Sequence, residues 1–167
     1  MTPTSEHREL DLAFEPTRTG VLTTIRIGGS TLRLTQEAPD RVELPFADGS
    51  FARVVCRHGL QLLANRRRAL REMHRVLSDG GEVDIEVPGP IDRNPPFAEL
   101  ADALERTEDR HQAVRIRWLF SMPEPDDLRG ALADAGFEEI RIEVAHTPGG
   151  DHHAFAMERN RGRAVRA

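Results

Sequence analysis

The sequence predicts an α/β domain: a mixed sheet that begins with a β-hairpin and carries its helices mainly on one face. Three observations point there. Two β-branched, alternating runs flank a Gly-Gly pair in "VLTTIRIGGSTLRLTQ". Later segments such as "EVDIEV" and "EEIRIEV" alternate strictly between apolar and charged residues. Between the strand-like segments lie runs whose apolar residues recur at helical spacing.

The elements follow in order. Residues 1–19 are polar, hold Pro3 and Pro16, and are expected to form a flexible arm. Residues 20–36 form the hairpin, because Gly28-Gly29 supplies the positive φ angles of a two-residue turn. That turn places Val21, Thr23, Ile25 and Ile27 on one face with Leu32 and Leu34. Thr24, Arg26, Thr31 and Arg33 fall on the other. Residues 51–57 read as a strand. In "NRRRALREMHRVL", Ala69, Leu70, Met73, Val76 and Leu77 make one helical stripe, with the arginines on the solvated side. Gly80-Gly81 is expected to end that helix. "EVDIEVP" is the next strand, and Pro88, Pro90, Pro95 and Pro96 mark a long loop. Residues 97–108 are helical. "PDDLRGALADAG" is a second helix, with an acidic first turn and Gly136 just past its end. "EEIRIEVAH" and "HHAFAMER" are two final strands around a Pro-Gly-Gly turn. Residues 20–158 thus form one domain, and 159–167 a disordered basic tail.

Composition narrows the function classes. A chain of 167 residues is long enough for one real core. With 38% hydrophobic and 31% charged residues it is expected to fold and to be soluble. A net charge of −5 argues against a nucleic-acid footprint over the whole surface. The basic runs "NRRRALR" and "RNRGRAVR" lack interleaved aromatics, so no nucleic-acid partner is expected. Every basic residue is Arg, which reads as genome composition. The single cysteine, Cys56, excludes an internal disulfide. No run is apolar enough to span a membrane, and the polar N-terminus does not read as a signal peptide. The default location is therefore cytoplasmic.

The stretches "LPFADGSF", "VVCRHGLQLL", "ALREMHRVLSDGG", "VPGPIDRNPPFAELADALE" and "LRGALADAGFEEIRIE" agree in order and spacing with a known family. They resemble the C-terminal half of a class I S-adenosylmethionine (SAM) methyltransferase of the UbiE/type 11 kind, a truncated Rossmann-like half-fold. The resemblance covers most of residues 40–158. It implies sheet neighbours in the order four, five, seven, six, with the last strand antiparallel. It also implies SAM as the cofactor to test, but the departures argue against autonomous SAM binding. The family's first strand ends in a Gly-x-Gly-x-Gly loop, where backbone approaches the cofactor. "RIGGSTLRL" is the only Gly-rich candidate, and it is a hairpin turn. The acidic residue that holds the ribose has no counterpart. Asp40 stands where the family's adenine-contacting Asp would be. Ala52, Leu62 and Ala64-Asn65 replace the family's Asp, His and Pro-Asp.

The alternation shows how such a half-fold could remain stable. A strand covered on both faces should be apolar throughout. Here Val83, Ile85 and Val87 oppose Glu82, Asp84 and Glu86, and Ile140, Ile142 and Val144 oppose Arg141 and Glu143. One face is therefore expected to be apolar and the other an open polar face. The hairpin is expected to cover the edge beside strand four, since open edges invite pairing.

Candidate chemistry is sparse. Cys56, Arg57 and His58 lie at the C-terminal end of an expected parallel strand, where α/β folds place ligands. His58 is a candidate general base and Cys56 a candidate nucleophile. The alternative is that Cys56 is a core residue and that His58 caps or packs the next helix. His146, Asp151, His152 and His153 resemble a metal cluster, but adjacent strand residues point to opposite faces, so no metal site is expected. The stripe Glu82, Asp84 and Glu86, with Arg141 and Glu143, is a polar surface, a cationic-ligand site or an acid/base pair. The leading expectation is a pseudoenzyme: a methyltransferase-like homodimer or non-catalytic partner subunit, its partner plausibly a true methyltransferase. The alternatives are a small-molecule methyltransferase whose SAM site is completed by oligomerisation or a partner, and a repurposed enzyme that uses the polar face.

Overall fold

The computed structural model describes residues 9–37, 40–107, 110–122, 124–147 and 157–167. Seven strands form one sheet: β1 (Glu9–Pro16), β2 (Val21–Ile27), β3 (Ser30–Gln36), β4 (Phe51–His58), β5 (Leu77–Pro88), β6 (Phe137–Thr147) and β7 (Met157–Arg166). Their order across the sheet is β3-β2-β1-β4-β5-β7-β6. β1, β4 and β5 are parallel, whereas β2, β3 and β7 run antiparallel to their neighbours. The expected run of strands four, five, seven and six is present. So is the hairpin, with Ile27 opposite Ser30 and Ile25 opposite Leu32. Gly28 sits at φ 58°, as its turn requires.

Four helices accompany the sheet: α1 (Arg66–Val76), α2 (Pro95–Glu105), α3 (Arg110–Trp118) and α4 (Pro125–Asp134). Asn65 caps α1 by accepting from the Arg68 amide at 3.0 Å. Glu124 and Asp127 form a capping box on α4, and Gly136 closes that helix at φ 96°. Leu70 and Met73 of α1 and Leu128 and Leu132 of α4 join Leu12, Ile25, Val54, Val83 and Ile85 in one apolar core. Both helices therefore lie on the same sheet face. The run after β3 is strapped to α1. Glu72 accepts from the Leu44 amide at 2.8 Å, and Arg75 donates to the carbonyls of Leu44 and Phe46. α3 was not among the expected elements. It pairs with α2 across the C-terminal ends of the parallel strands.

Three expectations are corrected. Part of the expected N-terminal arm is β1, which lies parallel to β4 and separates it from the hairpin. Leu10, Leu12 and Phe14 point into the core while Glu9 and Asp11 point away, the same period of two seen in the other strands. The expected basic tail is the centre of β7, hydrogen-bonded between β5 and β6. Towards the helices it turns Asn160, Gly162 and Ala164, and Leu128, Leu132 and Ile142 press on Gly162. A Cβ on Gly162 would lie 2.9–3.1 Å from those three side chains. The expected strand over 152–159 is described only from Met157 onward. Lastly, α1 stops at Val76, and β5 already begins at Leu77. Gly80 and Gly81 lie in an excursion of β5 rather than at a helix cap: β4 advances from Phe51 to Arg53 while β5 advances from Leu77 to Glu82. Gly81 is tight there, since a Cβ would stand 2.8 Å from the Ser78 carbonyl.

Deleting residues 159–167 takes out most of an internal strand. We expect the truncated chain to lose its cooperative thermal transition by circular dichroism and the slow amide exchange of residues 83–87. A truncated chain that melts like the full one would place those residues outside the sheet.

Candidate functional site

The sheet face opposite α1 and α4 carries charge. Cross-strand partners share a face, so the pairing sets its rows. Arg53 lies opposite both Glu9 and Glu82, Asp84 opposite Arg163, Glu86 opposite Arg161, and Glu143 opposite Arg161 on its other side. Five guanidiniums gather around two carboxylates of β5. Arg161 donates to Asp84 from Nε and Nη2 at 2.9 and 2.6 Å, and Arg53 donates from Nη2 at 2.8 Å. Arg163 stands 3.9 Å away. Glu86 receives Arg159 at 2.7 Å, with Arg161 at 3.8 Å and Arg57 at 3.9 Å. The Asp84 side chain is 2% exposed and that of Glu86 10%. Arginine stems exclude water from both carboxylates, and from Val55 between them.

Burial alone would raise the Asp84 carboxyl. The hydrogen bonds and charge of Arg161, the hydrogen bond of Arg53 and the charge of Arg163 outweigh it and hold Asp84 below the usual carboxylate range. Asp84 in turn raises the Arg161 guanidinium. A charge-locked Asp84 is a poor acid or base at neutral pH. The stripe therefore works as an ion lattice. Of the other expected members, Glu82, Arg141 and Glu143 are exposed and line a shallow depression of about 180 Å³ with Arg161 and Arg163.

A second cavity, of about 290 Å³, opens where β4 and β5 end. Val87, Pro88, Phe97, Leu119 and Phe120 make its apolar wall, and Arg57, Arg159, Glu86 and Gln61 its polar part. The Phe97 and Phe120 rings stand 5.3 Å apart and tilted by 58°. This cavity was not legible in the sequence beyond the position of Arg57 at the end of a parallel strand.

The other expected site residues disperse. Cys56 is fully buried in the core, which removes it as an accessible nucleophile. His58 ends β4 with its backbone paired to Ala13. Asp40 is exposed and lines none of the described cavities. His146 lies 3.3 Å from Glu158, while Asp151, His152 and His153 fall outside the described residues. A third cavity, of about 640 Å³, opens at the end of β1 and is lined by Glu15, Pro16, Leu62, Val114, Trp118 and Leu119. β1 passes into β2 through a turn in which the Thr17 amide donates to the Gly20 carbonyl at 2.9 Å, with no helix between the strands. The glycines at that end are packed by the chain itself. A Cβ on Gly59 would meet the Phe14 carbonyl at 2.1 Å, and one on Gly20 the Gln36 carbonyl at 1.7 Å.

Replacing Asp84 with Asn leaves its arginines around an uncharged group. We expect a loss of about 3 kcal/mol in urea unfolding at pH 7. Because the folded-state value of Asp84 is lowered, its contribution is complete above the unfolded carboxylate value, ~3.9. It declines as pH falls through the folded value, so wild type and Asp84→Asn should converge in acid. A constant difference across that range would mean that Asp84 is not held as a carboxylate.

Comparison with known proteins finds methyltransferases. Residues 25–85 match the family model described as a methyltransferase domain. The demethylmenaquinone methyltransferase of Deinococcus radiodurans is 31% identical over 128 residues, covering 67% of this chain and 51% of the relative. The ubiquinone/menaquinone biosynthesis C-methyltransferase UbiE of Geobacter sp. strain M21 is 42% identical over 120 residues, covering 65% and 50%. The chain thus spans about half the length of these curated relatives. In fold it is similar to a SAM-dependent methyltransferase of Thermotoga maritima, with a TM-score of 0.51 at 17% identity, over 78% of this chain and 62% of that one. With the strand order β4-β5-β7-β6 and the helices beside it, these matches make the chain similar to the class I SAM-dependent methyltransferases of the UbiE/type 11 kind.

Proposed function

We propose that this protein is a methyltransferase-like scaffold without an autonomous SAM site, which acts as a homo-oligomer or as the non-catalytic partner of another protein. The observation that carries this reading is the contact between Gly59 and the Phe14 carbonyl. In a dinucleotide-type fold, the glycines at the strand ends leave room for the ligand. Here Gly59, just after β4, is packed against backbone, and the cavity of about 640 Å³ at the end of β1 has Glu15, Pro16, Leu62 and Trp118 rather than a glycine in its described lining. The turn from β1 directly into β2 supports the same reading, because no helix N-terminus is presented at the end of β1. The charged sheet face is the contact surface: it is ordered by its own ion pairs and rich in arginine, a residue enriched at protein interfaces.

A second reading keeps the family's activity. A partner or a second copy would complete the SAM site, and the cavity at the ends of β4 and β5 would receive the methyl acceptor. The chain's half-length relative to its curated relatives favours keeping this reading in the test.

Titrating the purified chain with SAM and with S-adenosylhomocysteine by calorimetry, with solution mass measured in parallel, separates the two. The scaffold reading expects no heat of binding from either compound and a mass above that of one chain, or a monomer that captures a partner. Micromolar binding would overturn it and point to methyl transfer.

A further inference from the structure

The cavity at the ends of β4 and β5 has a chemistry of its own, separate from any SAM site. Its wall is apolar and holds two aromatic rings, Phe97 and Phe120. Ligand pockets range from about 300 Å³ upward, so about 290 Å³ suits a single ring with a short side chain. One carboxylate, Glu86, faces it together with two guanidiniums, Arg57 and Arg159. Arg159 is tied to Glu86 at 2.7 Å. Arg57 is only loosely engaged, at 3.9 Å with its side chain 51% exposed. Behind Glu86, Arg161 and Arg53 are balanced by Asp84, Glu9 and Glu143, so the excess positive charge lies at the rim itself, with two guanidiniums to one carboxylate. The field at the rim therefore favours an anion, and Arg57 is placed to turn towards one with its planar fork.

We infer that this cavity binds a small aromatic carboxylate. The ring lies against Phe97, Phe120, Leu119 and Val87, and the carboxylate is received by Arg57 and Arg159. An aromatic amine of the same size would meet the guanidiniums and be rejected. A neutral amide would keep the ring contacts and lose the charge-assisted hydrogen bonds. This site is independent of the scaffold reading, because it needs neither SAM nor a partner.

The test is an NMR titration of the ¹⁵N-labelled full chain with phenylacetate, phenylacetamide and phenethylamine. We expect phenylacetate to saturate in the millimolar range or below and to shift amides at residues 57–61, 86–87, 97 and 119–120. Phenylacetamide should bind about tenfold more weakly, and phenethylamine not measurably. Arg57→Gln, at a half-exposed position 3.9 Å from Glu86, should weaken phenylacetate by about tenfold and leave phenylacetamide and the thermal transition unchanged. Arg33→Gln, on the hairpin, serves as the control and should change neither. Equal binding of the three probes, saturation elsewhere on the sheet, non-saturating shifts, or an unaffected Arg57→Gln would each overturn the assignment.

Discussion

Asp84 and Glu86 are buried on the sheet face that α1 and α4 leave uncovered, and much of the structure follows from the need to satisfy them. A buried carboxylate is costly unless it is paired and hydrogen-bonded. Neither β5 nor the main helices supply the partners. They come from strands on both sides, Arg53 and Arg57 from β4 and Arg159, Arg161 and Arg163 from β7. The lattice therefore ties three strands together across the face where no helix packs. Arginine suits this role, since its planar fork binds a carboxylate through two nitrogens and its stem covers neighbouring apolar surface. The all-arginine composition, whatever its origin, here has a structural use.

The opposite face obeys the reverse constraint. Leu128 and Leu132 come so close to β7 that a Cβ at position 162 would force their side chains to shift. The same strand thus presents small residues to the helices and long cations to the carboxylates. A sheet with one bare face of valines would aggregate. This sheet instead carries its apolar residues towards α1 and α4 and a compensated ion layer on the other side. The hairpin and β1 extend the sheet beyond β4, so the edge nearest the middle of the sheet is paired within the chain.

At the ends of the parallel strands the two themes meet. Backbone fills the space between β1 and β4, at Phe14 and Gly59, while a cavity remains open between β4, β5, α2 and the turn after α3. The family resemblance accounts for the strand order and the helix placement. It does not fix the chemistry, because function belongs to the site and not to the fold. Free space lies at two places along these strand ends: about 640 Å³ beside Glu15 and Pro16 at the end of β1, and about 290 Å³ beside Arg57 and the two phenylalanines.

The sequence by itself determined most elements whose two faces differ in polarity. The hairpin register, the faces of β5 and β6, the stripe of α1 and the cap of α4 all follow from local periodicity and turn residues, which neighbours in the chain suffice to specify. The charged face was legible for the same reason. Tertiary structure alone decided the rest. β7 carries Gly and Ala on its packed face, so no hydrophobic period marks it, and it is a strand because β5 and β6 supply its hydrogen bonds from 70 or so and 20 or so residues away. The period of β1 was present in "ELDLAFEP" but was outweighed by the polar, proline-bearing composition around it. The pairing of Asp84 with Arg161 and the cavity lined from residues 57 to 159 join positions far apart in the chain. A local pattern holds no information about such contacts, since they exist only once the sheet brings those strands together.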